Sequence, residues 1–351
     1  MSRWRYFFQR VLLSIPVLFL VMTMLFVILR MGPLDPVAAM LGPEASGAAA
    51  AQIRENMGLN EPLWQQYIDF MVGLITFDLG QSWVIQRGRS VTSMIRIYAP
   101  RTIWLGFWAI LLPLFIGIPL GFYAGLNSNS WGDYIASFSG IVWLAMPNFW
   151  LAIMFLAVLR RTQGGGFLGF DWYTLGPDIR SIIGTPPLDF IGFEQLLPVP
   201  SGFFFDGGTL AVAIKVILPA ALVLGSASMA TELRIGRTAM LETINSNYVE
   251  TAKAKGLSNR VIIWKHVFRN ALIPLVPIIT NEAFLLLGGS VIVEVLFGIN
   301  GLGRLYFISL TQGDLPLAGA LVYIFTIITI SMNIIQDLLY TILDPRVGYD
   351  Q

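Results

Sequence analysis

Residues 11–29 read VLLSIPVLFLVMTMLFVIL, an apolar run of 19 residues without a charged side chain. A helix needs about 20 mostly apolar residues to cross the hydrocarbon core of a bilayer. Backbone amides in lipid must be satisfied within the segment, so this run predicts a membrane-spanning helix rather than an open strand. Arg3, Arg5 and Arg10 precede it, as they would precede a secretory signal, but the run exceeds the ~7–15 apolar residues of such a signal. We therefore expect residues 1–30 to be a retained N-terminal anchor helix.

The composition of the whole chain agrees with a membrane protein. Of its 351 residues, 56% are hydrophobic and 12% are charged, and the charged share is about half that of a soluble domain. The net charge of +1 gives no basic field of the kind that nucleic-acid binding needs. The chain has no cysteine and one histidine, His266, so thiolate chemistry is excluded and no metal site is expected.

Six stretches of the chain have the length and hydropathy of a span. They predict an all-α polytopic membrane protein with six transmembrane helices. Prolines and glycines within them are tolerated because neighbouring helices pack around a kink. The predicted spans are 11–29, 102–126, 134–159, 210–231, 271–297 and 317–343.

The segments between the spans suggest a domain division. Residues 31–100 form an external segment with short helices on the outer face, and 101–351 form a transmembrane domain. This domain contains a Gly- and Pro-rich external insertion at 160–209 and a cytoplasmic loop at 232–270. Arginines before the first span place the N-terminus in the cytoplasm, and six spans return the C-terminus to the same side. Three of the four lysines lie in the cytoplasmic loop, as the positive-inside rule expects.

The cytoplasmic loop carries the most informative sequence, TINSNYVETAKAKGLSNRVIIWKHVFRNALIP at 243–274. Asn247 is suited to cap a helix, with Glu250 completing a capping box. Gly256 stands where a residue with positive φ would end that helix, and Ser258 would cap a second one. The loop is therefore predicted to fold as helix, glycine turn and helix. The alternative is an idle basic loop, because runs of charge are usually solvated faces.

Part of this loop resembles the EAA signature of permease subunits of ATP-binding-cassette (ABC) importers. Glu250, Ala252 and Gly256 match its Glu, second Ala and Gly, whereas Thr251 replaces the first Ala. The longer stretch NYVETAKAKGLSNRVIIWKHVFRNALIPLVP looks like the B-type permease subunit of dipeptide, oligopeptide and nickel importers. RVLLSIPVLFLVMTMLFVILRMGPLDP, GGSVIVEVLFGINGLGRL and LYTILDPRVGY resemble other parts of that family. The insertion at 160–209 departs from it by being longer.

The resemblance implies a type I importer permease fold with a five-helix core. It also implies that the protein imports peptides or similar small solutes across the cytoplasmic (inner) membrane. The implied partners are a second (C-type) permease subunit, two cytoplasmic ATP-binding subunits and an external substrate-binding protein. The chain has no phosphate-loop motif, so we expect no enzyme activity and no cofactor of its own, with ATP bound by the partner subunits. The implied ATPase-coupling residues are Asn247, Tyr248, Glu250, Thr251, Ala252, Lys255 and Gly256.

Polar and small residues of the fifth span are candidates for a translocation pathway or gate. An acid at mid-bilayer costs about 2.5–3.5 kcal/mol on insertion scales, so it usually faces protein or a watery cavity. The alternatives are pairing with a partner subunit for the acids and close helix packing for the glycines. An ion-coupled secondary transporter is the alternative function, although no inverted repeat is visible. The candidate residues are Asn281, Glu282, Gly288, Gly289 and Glu294.

Overall fold

The structure of the chain is a computed structural model. It describes residues 3–32, 37, 47–56, 58–162, 191–194, 202–205, 207–280 and 291–343. Most of these residues are helical. The helices are α1 Arg3–Met31, α2 Ala48–Asn56, α3 Leu63–Thr76, α4 Val91–Leu126, α5 Trp131–Leu144, α6 Asn148–Arg161, α7 Gly207–Ile244, α8 Asn247–Ala254, α9 Asn259–Thr280, α10 Val291–Phe297, α11 Leu302–Gln312 and α12 Leu315–Leu343.

Five of these helices, α1, α4, α7, α9 and α12, are long and apolar enough to cross a membrane. Two bent pairs, α5 with α6 and α10 with α11, would raise the number to seven. The predicted all-α polytopic class is confirmed. Within the predicted external insertion, strands β1 Ile191–Glu194 and β2 Gly202–Phe205 pair as a short antiparallel ribbon. Other residues of that insertion lie outside the described part of the chain.

The predicted span 134–159 is not continuous. Its two halves, α5 and α6, meet at a bend of 99°. The break falls at Pro147, which has extended backbone angles (φ −62°, ψ 138°) as the N-cap of α6. Proline lacks an N–H and disfavours the helical conformation of the residue before it, so the helix ends and restarts there. A second proline, Pro113, lies inside α4 without breaking it, because one π-helical turn at Pro113–Gly117 absorbs it.

One other predicted boundary was wrong. Helix α7 continues through Ile244 instead of ending at residue 231, so the first part of the predicted cytoplasmic loop is an extension of this helix. The second helix predicted in this loop, after Ser258, begins at Asn259 and continues as α9 into the predicted fifth span. The polar and charged side chains that suggested a loop stand on helices that continue past the apolar segment. Hydropathy alone marks where lipid contact ends, not where a helix ends.

The centre of the bundle is the packing of α7 against α4. A Cβ atom added to Gly121 would collide with the carbonyl oxygen of Leu233, and one added to Gly225 would collide with that of Ala109. The two helices therefore touch through their backbones, as small residues allow in membrane bundles. Leu105, Ala109, Ala220 and similar side chains on either side of this contact are buried in one apolar cluster.

The segment before α4 is tied to the start of the last helix. Asp314, which is fully buried, accepts hydrogen bonds from the Ser82 hydroxyl (2.5 Å) and from the backbone N–H groups of Trp83 (3.1 Å), Val84 (3.1 Å) and Ile85 (3.0 Å). A carboxylate with four donors is well compensated for its burial. These hydrogen bonds hold the turn before α4 against the start of α12.

The close contact of α4 with α7 predicts that Gly121→Ala is destabilising. The new methyl group must push against backbone, and overpacking of this kind costs roughly 1–3 kcal/mol. Gly140→Ala is the matched control, because its Cβ would meet the Leu233 side chain at 3.6 Å and the Ala230 carbonyl oxygen at 3.9 Å, both ordinary contact distances. We expect a lower melting temperature in detergent for Gly121→Ala alone. Equal melting temperatures for the two variants would contradict the backbone contact.

Candidate functional site

Helix α8 projects from the end of α7 and is the predicted first helix of the loop. Its N-cap is Ser246, which has extended angles (φ −79°, ψ 149°), and Asn247 is the first helical residue. The predicted capping box from Asn247 to Glu250 is therefore wrong. The Ser246 hydroxyl donates to the carbonyl oxygen of Thr243 at 2.6 Å and makes no capping bond to α8. The serine thus closes the last turn of α7 instead of the first turn of α8.

The glycine turn after α8 is confirmed. Gly256 has a φ of +75°, in the left-handed region that favours glycine. The N–H of Leu257 donates to the carbonyl oxygen of Ala252 at 3.3 Å, and the N–H of Gly256 donates to that of Lys253 at 2.9 Å. This double closure is a Schellman-type helix end. Ser258 is then the extended N-cap of α9, as predicted, although its side chain makes no capping bond.

One face of α8 is seated on the chain's own helices. Val249 is fully buried and Ala252 is 5% exposed. They belong to one apolar cluster with residues from the adjoining ends of α4, α7 and α9. Among these residues, the ring of Phe122 on α4 meets that of Phe268 on α9 edge to face at 5.2 Å. The cluster joins α8 to three long helices, so α8 is not a free loop.

The opposite face of α8 is exposed. It presents a mixed polar and aromatic surface, with the Tyr248 side chain 43% exposed. Next to it, the start of α9 exposes Val261 (41%) and Trp264 (63%). An exposed apolar patch with a polar rim marks an interaction surface. The exposed members of the predicted coupling set are Asn247, Tyr248, Glu250, Thr251, Lys255 and Gly256.

Sequence reasoning missed two features of this region. The first is the exposure of Trp264, whose position in a basic stretch was a usable signal, because a large aromatic residue there has no core to enter. The second is a bidentate ion pair: Arg237 Nε and Nη2 donate to the two carboxylate oxygens of Asp133 at 2.5 and 2.7 Å. Asp133 is 1% exposed and also accepts from the Asn129 N–H. The pair fixes the end of α7 to the start of α5.

The candidate pathway residues are mostly not described. Asn281, Glu282, Gly288 and Gly289 lie outside the described residues, and their role stays a prediction. Glu294 is fully buried inside the single chain. Its carboxylate accepts from the Thr102 hydroxyl (2.8 Å) and from the Arg304 N–H (2.8 Å).

These contacts give Glu294 a structural task. The Thr102 hydroxyl that donates to it also accepts from the N–H of Leu302 at 2.7 Å. The three residues thereby join α4, α10 and the first turn of α11 at the 89° bend between α10 and α11. In the described conformation the carboxylate faces protein groups. A part in the translocation pathway therefore stays a prediction for this residue.

The fold and the site together define a polytopic membrane protein with a short helix, α8, that is packed on the bundle by one face and exposed on the other. Comparison with known proteins agrees. Residues 117–349 match the model of the binding-protein-dependent transport system inner membrane component family, and residues 3–85 match the N-terminal model of such membrane components.

Three curated relatives illustrate the similarity. The dipeptide transport system permease protein of Alkalihalophilus pseudofirmus and the oligopeptide transport system permease protein of Bacillus subtilis are each 33% identical, over 98% of this chain and 99% of theirs. The glutathione transport system permease protein of Pectobacterium atrosepticum is 30% identical over 98% of this chain and 99% of its own.

The chain belongs to the binding-protein-dependent transport system inner membrane component family. It is a permease subunit of an ABC importer and a non-enzymatic, multi-pass membrane component of a system with other subunits. The predicted family and function are confirmed. The alternative of an ion-coupled secondary transporter is not supported.

The contact of Thr102 with Glu294 predicts that Thr102→Val is destabilising although the two side chains have the same shape. The variant removes one donor from a buried carboxylate and the acceptor of the Leu302 N–H, at roughly 1–3 kcal/mol for each unsatisfied group. Thr311→Val is the control, because this exposed hydroxyl bonds only carbonyls of its own helix. Thermal unfolding in detergent should separate the variants, and equal midpoints would refute the structural role.

Proposed function

We propose that this permease imports peptides or similar small solutes across the cytoplasmic membrane, driven by two cytoplasmic ATP-binding subunits that contact α8. A second (C-type) permease subunit would complete the pore, and an external substrate-binding protein would deliver the cargo. The peptide cargo is supported by the names of the relatives, which include dipeptide and oligopeptide permeases of matching length. No bound cofactor is proposed for this chain, and ATP belongs to the partner subunits.

The observation that carries the proposal is the two-sided character of α8. Its buried face, Val249 and Ala252, is held by α4, α7 and α9, while Tyr248, Glu250 and Lys255 face outward. A partner that engages the outward face would therefore move three membrane helices together. Such rigid coupling between a surface contact and a helix bundle suits alternation between outward- and inward-facing states.

The proposed orientation places both termini and α8 in the cytoplasm. Arg10 and Asp337 form an ion pair with an Nε to Oδ2 distance of 2.8 Å. This pair puts the start of α1 and the end of α12 at the same side of the bundle. Arginines and lysines around α8 support a cytoplasmic position for α8, as the arginines before α1 do for the N-terminus. Arg30 then lies at the external end of α1.

The pathway through the membrane is proposed to involve the fifth span. Asn281 and Glu282 are the polar residues that would face solute, and Gly288 with Gly289 would allow a gate to bend. The buried position of Glu294 supports a structural role next to this gate, because its carboxylate holds the bend between α10 and α11.

The positive φ of Gly256 predicts that Gly256→Val uncouples ATP hydrolysis from uptake. A β-branched residue resists this conformation at a cost of about 1–2 kcal/mol, which would tilt α8 away from its partner. Gly256→Asn is the matched control, because asparagine tolerates the left-handed region. Uptake and ATP hydrolysis measured in proteoliposomes should both stay near wild type for Gly256→Asn. Wild-type coupling in Gly256→Val would contradict the importance of the turn.

The exposed carboxylate of Glu250 predicts a weaker assembly in Glu250→Lys. Charge reversal in a polar contact places like charges together or removes a favourable pair, and we expect the fraction of ATP-binding subunit that copurifies to fall about tenfold. Glu242→Lys is the control, because this residue is also exposed, near the end of α7, but lies outside α8. Quantitative copurification measures the effect. If both variants retained the partner equally, Glu250 would be removed from the contact.

A further inference from the structure

The contacts of α3 place part of this helix beside the apolar run of α1. Arg10 and Arg30 bracket the apolar part of α1 and lie 20 residues apart, which corresponds to ~30 Å along a helix, the thickness of the hydrocarbon core. Between them, the Thr23 and Tyr67 hydroxyls are 2.7 Å apart, and the Phe26 and Tyr67 rings meet at 5.2 Å. Thr23 lies ~10 Å below Arg30 along α1. The side chains of α3 therefore reach the depth of the external hydrocarbon layer.

At this depth α3 exposes an apolar stripe. Trp64, Ile68, Val72 and Ile75 are spaced by four and three residues, so they lie on one face of the helix. Their exposed fractions are 65%, 49%, 52% and 77%. The other face of α3 packs on α1 and α12. An exposed apolar face at hydrocarbon depth is matched by acyl chains.

Between α1, α3 and the start of α12 lies a groove of about 380 Å³ that is lined by both apolar and charged side chains. Its apolar walls include Phe26 and Phe70, and its charged groups are Arg30, Asp69 and Asp78. Arg30 is half-buried, and its Nη1 atom is buried without a hydrogen-bond partner among the described residues. Asp69 and Asp78 are exposed at the groove, and neither forms an ion pair with Arg30 within 4.0 Å in the described part of the chain.

These charges select the kind of ligand. A buried guanidinium atom without a partner calls for an anion with several acceptor oxygens, which a phosphate supplies. Two carboxylates beside it disfavour a ligand that is only anionic and favour one that also carries an ammonium group. A phosphate and an ammonium on one small group make a zwitterionic lipid headgroup.

We propose that the groove binds one zwitterionic glycerophospholipid of the external leaflet. Its phosphate lies against Arg30, its ammonium against Asp69 and Asp78, and its acyl chains follow the stripe from Trp64 to Ile75. The bound lipid fills the space between the anchor helix and the last helix. The assignment to the external leaflet rests on the orientation proposed above. The groove and its charged groups are independent of that orientation.

Native mass spectrometry of the purified transporter, titrated with phosphatidylethanolamine or phosphatidylglycerol, tests the site. The wild type should retain one phosphatidylethanolamine in preference to phosphatidylglycerol. Arg30→Gln should lower this retention about tenfold, because one charge-assisted contact is lost. Arg96→Gln is the matched control: this exposed arginine near the external end of α4 does not line the groove, and its loss should leave retention unchanged.

A second variant reverses the preference. Asp69→Asn combined with Asp78→Asn removes both carboxylates at exposed positions and should make phosphatidylglycerol the better ligand. Equal retention of both lipids by the wild type, or equal losses in Arg30→Gln and Arg96→Gln, would overturn the proposal. Displacement of the lipid by a saturating dipeptide would also overturn it and would indicate a peptide site. Copurifying ATP-binding subunit, measured in the same samples, reports separately on the proposed coupling function.

Discussion

Backbone contact between α7 and α4 is the constraint on which the rest of the bundle depends. Gly121 and Gly225 let the two helices approach so closely that a methyl group at either position would strike a carbonyl oxygen. Because lipid offers no hydrophobic drive between helices, such close approach is what holds a membrane bundle together. The long helix α7 is thereby fixed along its membrane part. Because α7 is one continuous helix, the orientation of its extension beyond the apolar segment is fixed as well.

That extension leads into α8, and both are held to neighbouring helices. The bidentate pair of Arg237 with Asp133 holds the end of α7 to α5, and the buried side chain of Val249 holds α8 to α4, α7 and α9. A force on the exposed face of α8 is thus delivered to several helices at once. At the other end of the bundle, Asp314 and the Thr102 to Glu294 contact hold the turns before α4 and α11 in place. Both ends of the bundle are therefore held by polar contacts between residues that are far apart in the sequence.

The sequence allowed the membrane class, the family and the glycine turn at Gly256 to be predicted, because each depends on local hydropathy or on a short motif. Other features depend on partners far along the chain. Arg237 and Asp133 are 104 residues apart, and Thr102 and Glu294 are 192 apart. The choice of Ser246 over Asn247 as cap was set by how the last turn of α7 closes, which propensity alone does not decide. The 99° bend at Pro147 has a local cause in the proline, but Pro113 leaves its helix continuous, so a proline in a predicted span did not by itself predict a break.

In the proposed arrangement, α8 faces the cytoplasm and touches a nucleotide-hydrolysing subunit. The chain has no cysteine, so Lys253→Cys introduces a single thiol at an exposed position of α8. Cross-linking of this variant in sealed membranes that contain the whole transporter tests this arrangement. We expect a covalent product with an ATP-binding subunit and protection of the thiol from an impermeant external reagent. Labelling of the thiol by that external reagent, without a product containing an ATP-binding subunit, would contradict it.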